Sequence, residues 1–94
     1  MTGESLRQTV SITNPQGFHM RPMAAFVEAA NRFPCAVTVT REGSPPANGK
    51  SILALMGLVA VPGTELDIEV TGPRAKEAME ALVSVLQRTY DDEQ

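Results

Sequence analysis

The 94-residue chain has no tryptophan, one tyrosine, one cysteine and one histidine, and these shortages exclude several classes of function. The single cysteine, Cys35, has no partner for an intrachain disulfide, so we expect a protein of the reducing cytoplasm. Cys35 follows Phe33 and Pro34 at the start of a predicted strand, which is typical of a small buried hydrophobe. One histidine and one cysteine without carboxylates at ligand spacing do not form a metal site, and no cofactor is predicted.

Neither sign of charge dominates, and no apolar run is long. Eight Lys and Arg against eleven Asp and Glu give a net charge of −3, so no basic stripe can displace counterions from nucleic acid. No segment approaches the roughly 20 apolar residues of a membrane span. The first residues also lack the basic and hydrophobic regions of a signal peptide. Composition therefore favours one globular domain over residues 1–94, with neither nucleic acid nor membrane insertion.

Apolar residues recur with period two in some segments and with helical spacing in others. The pattern predicts strands near 6–13, 37–40, 47–48 and 65–70, and helices near 20–33, 52–59 and 73–86. This order, β-α-β-β-α-β-α, with strands that have one polar face, predicts an α+β domain of two layers. An antiparallel sheet is then covered on one side by helices. The core is expected over about 6–88, with flexible tails at 1–5 and 91–94.

The most informative segment is 17–23, GFHMRPM, which contains the only histidine. Pro22 is tolerated in a first helical turn, because the N–H that proline lacks has no intrahelical acceptor there. His19 is therefore predicted at the N-cap of a helix, where unpaired backbone N–H groups and the helix dipole favour an anion. Arg21 adds a permanently charged, fork-shaped donor on the same turn. Together these residues predict a site that holds a phosphoryl group on the imidazole.

A lone histidine in a small domain can also be an ordinary hydrogen-bonded surface or capping residue. In that case the chain would be a small effector-binding α+β module of the ferredoxin-like kind, and His19 would be only a cap. The glycine before His19, the arginine two residues later and the predicted helix start favour the chemical role.

A second informative segment, NGKS at 48–51, precedes an unusually apolar stretch. Ser51 is predicted as an N-cap whose hydroxyl accepts a backbone N–H, and this role alone is a sufficient reason for a serine. The same hydroxyl would be accessible to a kinase, and a phosphate there would add about two negative charges to a partner surface.

The helix that follows Ser51 has more apolar side chains than one sheet can cover. Leu55, Leu58 and Val59 are predicted to face the core, while some of Ile52, Leu53 and Met56 stay exposed. An exposed apolar patch on a small domain is typical of a partner surface. A fully buried helix explains the composition equally well.

With both segments in this topology, the chain resembles the HPr family, the histidine-containing phosphocarriers of the bacterial phosphoenolpyruvate-dependent sugar phosphotransferase system. The resemblance runs from about Leu6 to Leu86. Family members have a Gly-Leu-His-Ala-Arg-Pro-Ala-like segment, matched at 17–23, and many have a Lys-Ser-Ile-Met-like segment, matched at 50–53. The resemblance implies an open-faced sandwich with a four-stranded antiparallel sheet of order 1-4-2-3 and three helices on one face.

The same resemblance implies that His19 accepts phosphate on Nδ1 from phosphorylated enzyme I and passes it to an enzyme IIA. Arg21 would help to hold the phosphate. Ser51 matches the serine that the ATP-dependent HPr kinase/phosphorylase modifies in some lineages. The surface shared by successive partners would comprise Met20, Ala24, Ile52, Leu53 and Met56. A monomer in the cytoplasm is expected.

Three features depart from the family pattern and bear on the choice of partners. Met20 and Met23 stand where small residues are common, and the turn over 41–46 is proline-rich and about one residue longer than usual. A bulky, flexible methionine beside the site could change partner choice without changing the chemistry. A nitrogen-related phosphorelay is therefore an alternative. So is a regulatory protein that acts through Ser51 or partner binding, without sugar transport.

Overall fold

The computed structural model describes residues 4–88, and its elements follow the predicted order. The strands are β1 (Glu4–Ser11), β2 (Ala36–Arg41), β3 (Ala47–Asn48) and β4 (Glu65–Gly72). The helices are α1 (Met20–Ala30), α2 (Ile52–Met56) and α3 (Ala75–Gln87). The sheet order is β1-β4-β2-β3 and each neighbouring pair is antiparallel, which confirms the predicted fold.

Strand β4 lies inside the sheet and shows most clearly why these residues form strands. Leu66, Ile68 and Val70 are fully buried and alternate with more exposed Asp67 and Glu69. An apolar side chain at every second position places one face of the sheet against the core and the other toward solvent. The uncovered face is polar, as the alternation predicts.

The three helices supply the second layer. α3 contacts β1 and β4, α1 packs against α3, and α1 also contacts α2. Phe18 and Phe26 meet edge to face, with ring centroids 6.0 Å apart, and anchor the start of α1 in the core. The buried face of α3 comprises Ala75, Ala78, Met79, Leu82, Val85 and Leu86. Across residues 4–88, no helix has the length and apolar character needed to cross a membrane.

The first strand begins earlier than the sequence predicts. β1 starts at Glu4, so residues 4 and 5 belong to the sheet rather than to a flexible tail. The reason is that β4 continues to Gly72, which pairs with Glu4 and extends the antiparallel ladder. Residues 1–3 and 89–94, which include the rest of the predicted tails, lie outside the described residues.

The second helix ends earlier than predicted, at Met56, and this changes the position of one residue. Leu55 and Leu58 are buried as predicted, but Val59 is 71% exposed, so its assignment to the core is wrong. Gly57 is the C-cap of α2. Val59 then adopts a left-handed backbone with φ of 49°, so helical spacing no longer sets the direction of its side chain.

Cys35 occupies a structural position. Its side chain is buried, and its Sγ donates to the carbonyl oxygen of Pro73 at 2.8 Å. The expectation of a small buried hydrophobe at this position agrees with the structure.

Candidate functional site

The segment that leads into α1 is fixed between two loops. Residues 14–17 form a turn in which the N–H of Gly17 donates to the carbonyl of Asn14 at 2.8 Å. Asn, Pro and Gly at the first, second and fourth positions are the residues that such a turn favours. Gly17 has φ of 75°, and a Cβ there would lie 2.7 Å from the carbonyl oxygen of Ala60. The next N–H, from Phe18, donates to that same oxygen at 2.9 Å, so the turn lies directly on the loop after α2.

His19 follows this turn and is the N-cap of α1, as predicted, with extended backbone angles of φ −94° and ψ −169°. Its half-buried side chain makes no capping hydrogen bond to the helix. Instead, its Nε2 lies 3.1 Å from Nδ2 of Asn14. The ring is therefore held by the preceding turn, not by the helix that it begins.

The first turn of α1 is electrostatically suited to an anion. Arg21 lies in this turn, two residues after His19, and is exposed. Pro22 is also in the first turn, and the turn contains no acidic residue. The positive end of the helix dipole and a guanidinium therefore act in the same direction, with no carboxylate of that turn opposing them.

Ser51 is the N-cap of α2, and here the side chain does cap the helix. Its Oγ accepts a hydrogen bond from the N–H of Ala54 at 3.2 Å. The entry to α2 is also fixed by Lys50, whose Nζ donates to the carbonyl oxygen of Phe33 at 2.8 Å. Ser51 therefore has the structural role that the sequence predicts, and it is half-buried.

The apolar stretch after Ser51 is exposed rather than fully buried. Leu53 is 81% exposed and Met56 is 46% exposed, and their i, i+3 spacing puts them on one face of α2. Met20, at the start of α1, is 52% exposed, and α1 contacts α2. Of the other predicted partner residues, Ala24 is exposed and Ile52 is half-buried.

Sequence reasoning missed four residues around these elements. Val59 and Val61 are exposed in the loop after α2 and enlarge its apolar surface. Arg41 holds that loop, because its Nε donates to the carbonyl oxygen of Leu58 at 2.6 Å. Asn14, interpreted as turn chemistry alone, is also the partner of His19. A proline and glycine directly after Val61 signal its loop position, and Gly57 signals that α2 ends before Val59. No local pattern signals the contacts of Arg41 and Asn14.

The arrangement provides a ring nitrogen as nucleophile and a cationic setting for an anion. Within residues 4–88, no group of three or more His, Cys, Asp and Glu side chains could hold a metal ion. Phosphoryl transfer asks a protein mainly for positioning and charge neutralisation, and the first turn of α1 offers both.

Solved structures of histidine-containing phosphocarrier proteins share this open-faced sandwich. A family model described as the PTS HPr component phosphorylation site matches residues 6–88. The chain therefore belongs to the HPr family of phosphocarriers of the phosphotransferase system.

Relatives with two different names match most of this chain. Phosphocarrier protein HPr of Pseudomonas putida is 40% identical over 83 residues, which cover 88% of this chain and 92% of that protein. Phosphocarrier protein NPr of Escherichia coli K12 is 30% identical over 89 residues, covering 95% and 99% respectively. The crystal structure of HPr from Bacillus anthracis superposes with a TM-score of 0.82 at 34% identity, covering 88% of this chain and 98% of that one.

Proposed function

We propose that this chain carries a phosphoryl group on His19, accepts it from phosphorylated enzyme I and passes it to an enzyme IIA-type acceptor. The observation that supports this most directly is the position of His19. The ring stands at the positive end of α1, is held by Asn14 and leaves the capping of the helix to other groups. Family membership supports the general role, and the geometry of α1 supports this residue.

The chemistry requires a site that binds phosphate without retaining it. In the forward step the lone pair of a ring nitrogen forms a bond to phosphorus while the bond from phosphorus to the donor's histidine breaks. Arg21 and the N-terminus of α1 neutralise the charge on the phosphoryl oxygens. One guanidinium and one helix end bind phosphate more weakly than an enclosed cage would, and this suits onward transfer.

The exposed apolar residues supply a surface on which partners dock. Leu53 and Met56 lie on one face of α2, and Met20 lies beside the phosphoryl acceptor in sequence. Isolated exposed apolar residues are common on monomers, but three large ones on contacting helices are typical of an interaction site. In this scheme the protein works as a monomer in the cytoplasm, and successive partners use this surface in turn.

Incubation with phosphoenolpyruvate and enzyme I tests the carrier function. We expect an acid-labile phosphate on the wild-type protein and none on His19→Ala. The chain has one histidine, so acid-labile phosphate on an imidazole can only be on His19. An unlabelled wild-type protein, or a His19→Ala variant that still carries acid-labile phosphate, would overturn the proposal.

A second function is regulation through Ser51, and the placement of that residue favours it. Its hydroxyl begins the helix that presents Leu53 and Met56, so a phosphate there would put negative charge beside an apolar docking surface. An HPr kinase/phosphorylase with ATP should then add an acid-stable phosphate that Ser51→Ala abolishes. The matched variant Ser84→Ala, on the exposed face of α3, should keep it. Phosphate that persists in Ser51→Ala would contradict this function.

A further inference from the structure

Asn14 is the feature that the carrier function leaves unexplained. It is the one polar side chain that is buried among residues 5–88, with 4% of its surface exposed. Its Nδ2 lies 3.1 Å from Nε2 of His19, whereas its Oδ1 has no hydrogen-bond partner among the described residues. A buried acceptor without a partner costs about 1–3 kcal/mol, so a native fold that retains one has a reason to do so.

From this pair we propose that Asn14 is a positioning residue that holds the proton of the neutral His19 ring on Nε2. The lone pair then resides on Nδ1, which becomes the nucleophile. In a neutral imidazole one nitrogen is protonated and the other is not, and the hydrogen bond made by one nitrogen selects between the two forms. The inference rests on the proposed function, because it concerns the same ring.

The carboxamide of Asn14 can serve as the acceptor because no residue within 4–88 donates a hydrogen bond to its oxygen. Rotation by 180° about the Cβ–Cγ bond exchanges Oδ1 and Nδ2 with almost no change of shape. In the rotated orientation Oδ1 accepts the N–H of Nε2, and Nδ2 takes the buried place of the oxygen, so one polar atom of the carboxamide has no described partner in either orientation. A side chain anchored through its oxygen could not make this exchange.

The same contact continues through the phosphoryl transfer. When the lone pair of Nδ1 forms the bond to phosphorus and the donor's P–N bond breaks, Nε2 keeps its proton and the ring becomes cationic. Oδ1 of Asn14 then accepts a charge-assisted hydrogen bond, which is shorter and stronger than a neutral one. In onward transfer the electron pair of the N–P bond returns to Nδ1, and the starting tautomer is restored. Asn14 therefore acts on the ring and touches neither phosphate nor partner.

Nitrogen NMR of the ring at alkaline pH, where imidazole is neutral, reports the tautomer directly. We expect the wild-type protein to have its proton on Nε2. Asn14→Ala should raise the ratio of the Nδ1–H form to the Nε2–H form by about fivefold, the equivalent of one ordinary hydrogen bond. A wild-type proton on Nδ1, or an unchanged ratio in the variant, would overturn the proposal.

A second variant keeps the test decisive if Asn14→Ala does not fold. Asn14→Asp has nearly the same shape and offers acceptors only, so it should hold the Nε2–H form at least as strongly as the wild type. A shift toward Nδ1–H in that variant would contradict the proposed role. The introduced carboxylate also repels phosphate, so its transfer rate is not a suitable measurement.

The rate of phosphoryl acceptance provides the functional measurement. Asn14→Ala should slow acceptance from enzyme I by on the order of fivefold, because the reactive tautomer loses one ordinary hydrogen bond. Gln16→Ala is the matched control, because it removes an exposed carboxamide from the same turn and should leave both tautomer and rate unchanged. Equal rates for Asn14→Ala and the wild type would refute the effect on transfer.

The two measurements distinguish failure of this inference from failure of the carrier function. If the wild-type protein accepts no phosphate while the tautomer changes as expected in Asn14→Ala, the carrier function fails and the role of Asn14 stands. If the wild type accepts phosphate and Asn14→Ala changes neither tautomer nor rate, only the role of Asn14 fails.

Discussion

The N-termini of α1 and α2 begin from similar extended backbones but use their N-cap side chains differently. Ser51 accepts the N–H of Ala54 and completes the first turn of α2 with its own oxygen. His19 makes no such bond and is held by Asn14 from the preceding turn. An N-cap side chain that accepts a backbone N–H, as in α2, stabilises the helix itself. A helix start without such a side-chain cap, as in α1, leaves backbone N–H groups that can bind an anion.

The comparison predicts its largest effect for His19→Gln. Phosphoryl acceptance should fall below detection, because glutamine offers no nucleophilic ring nitrogen. The free energy of unfolding should fall by no more than about 1 kcal/mol, because the hydrogen bond to Asn14 is lost but no capping bond is. A phosphorylation assay and urea unfolding of the same sample check both expectations. A loss of stability well above 1 kcal/mol would show that His19 supports the helix after all.

The glycines that lie three residues before each helix allow a second test. A Cβ on Gly17 would meet the backbone oxygen of Ala60, and φ of 75° adds strain, whereas a Cβ on Gly49 would meet the side chain of Val37. Each change to alanine should cost about 2 kcal/mol, measured by urea unfolding. Adding Val37→Ala to Gly49→Ala should restore about 1 kcal/mol of the lost free energy of unfolding, because it removes the clashing methyl groups. Adding it to Gly17→Ala should restore nothing, because the clash there is with a backbone oxygen.

If Val37→Ala restored stability equally in both glycine variants, the loss of stability in Gly17→Ala would come from general core packing. The contact between Gly17 and the loop after α2 would then not be the feature that fixes the turn before His19.

Arg21→Ala tests the electrostatics of the first turn of α1. Acceptance from enzyme I should slow by about tenfold, the equivalent of one charge-assisted hydrogen bond to phosphate. The matched variant Arg32→Ala removes the same charge just beyond the other end of α1 and should leave the rate unchanged. Stopped-flow measurements at two salt concentrations compare them. Equal slowing in both variants would mean that net charge, not the position of Arg21, governs the rate.

The smallest effect is expected at the start of α2. Ser51→Ala removes the capping oxygen and should lower the free energy of unfolding by about 1 kcal/mol, while Ser51→Thr keeps most of it. Phosphoryl acceptance should stay within about twofold of the wild type, because the cap contributes to folding and not to the chemistry. Thermal unfolding and the enzyme I assay measure the two quantities. Slowed acceptance at unchanged stability would contradict the division of roles between the two helix starts.

Much of the fold follows from local pattern. The alternation in β4 predicts its buried residues, and the proline after His19 predicts where α1 begins. The errors lie where long-range contacts decide. β1 extends to Glu4 because a partner strand continues to Gly72, and no alternation among the first residues shows this. Helical spacing predicts Val59 in the core, but α2 ends at Met56, and the glycine that follows Met56 is the local signal for that end.

The candidate site was predictable in its residue types and less so in its geometry. The positions of His19 and Ser51 as N-caps follow from their neighbours in sequence, as does the exposed Arg21. The contact between Asn14 and His19 depends on how a turn of four residues folds back against the ring. A sequence read by periodicity assigns Asn14 to a turn and does not reveal that its side chain is buried.

The backbone at Val59 has a consequence for how this protein could evolve. A β-branched residue with φ of 49° costs about 1–2 kcal/mol relative to glycine, and its side chain is 71% exposed. Replacement by glycine would relieve this strain and would remove an exposed isopropyl group from the rim of the proposed docking surface. Selection for heat resistance and selection for partner affinity therefore oppose each other at one codon.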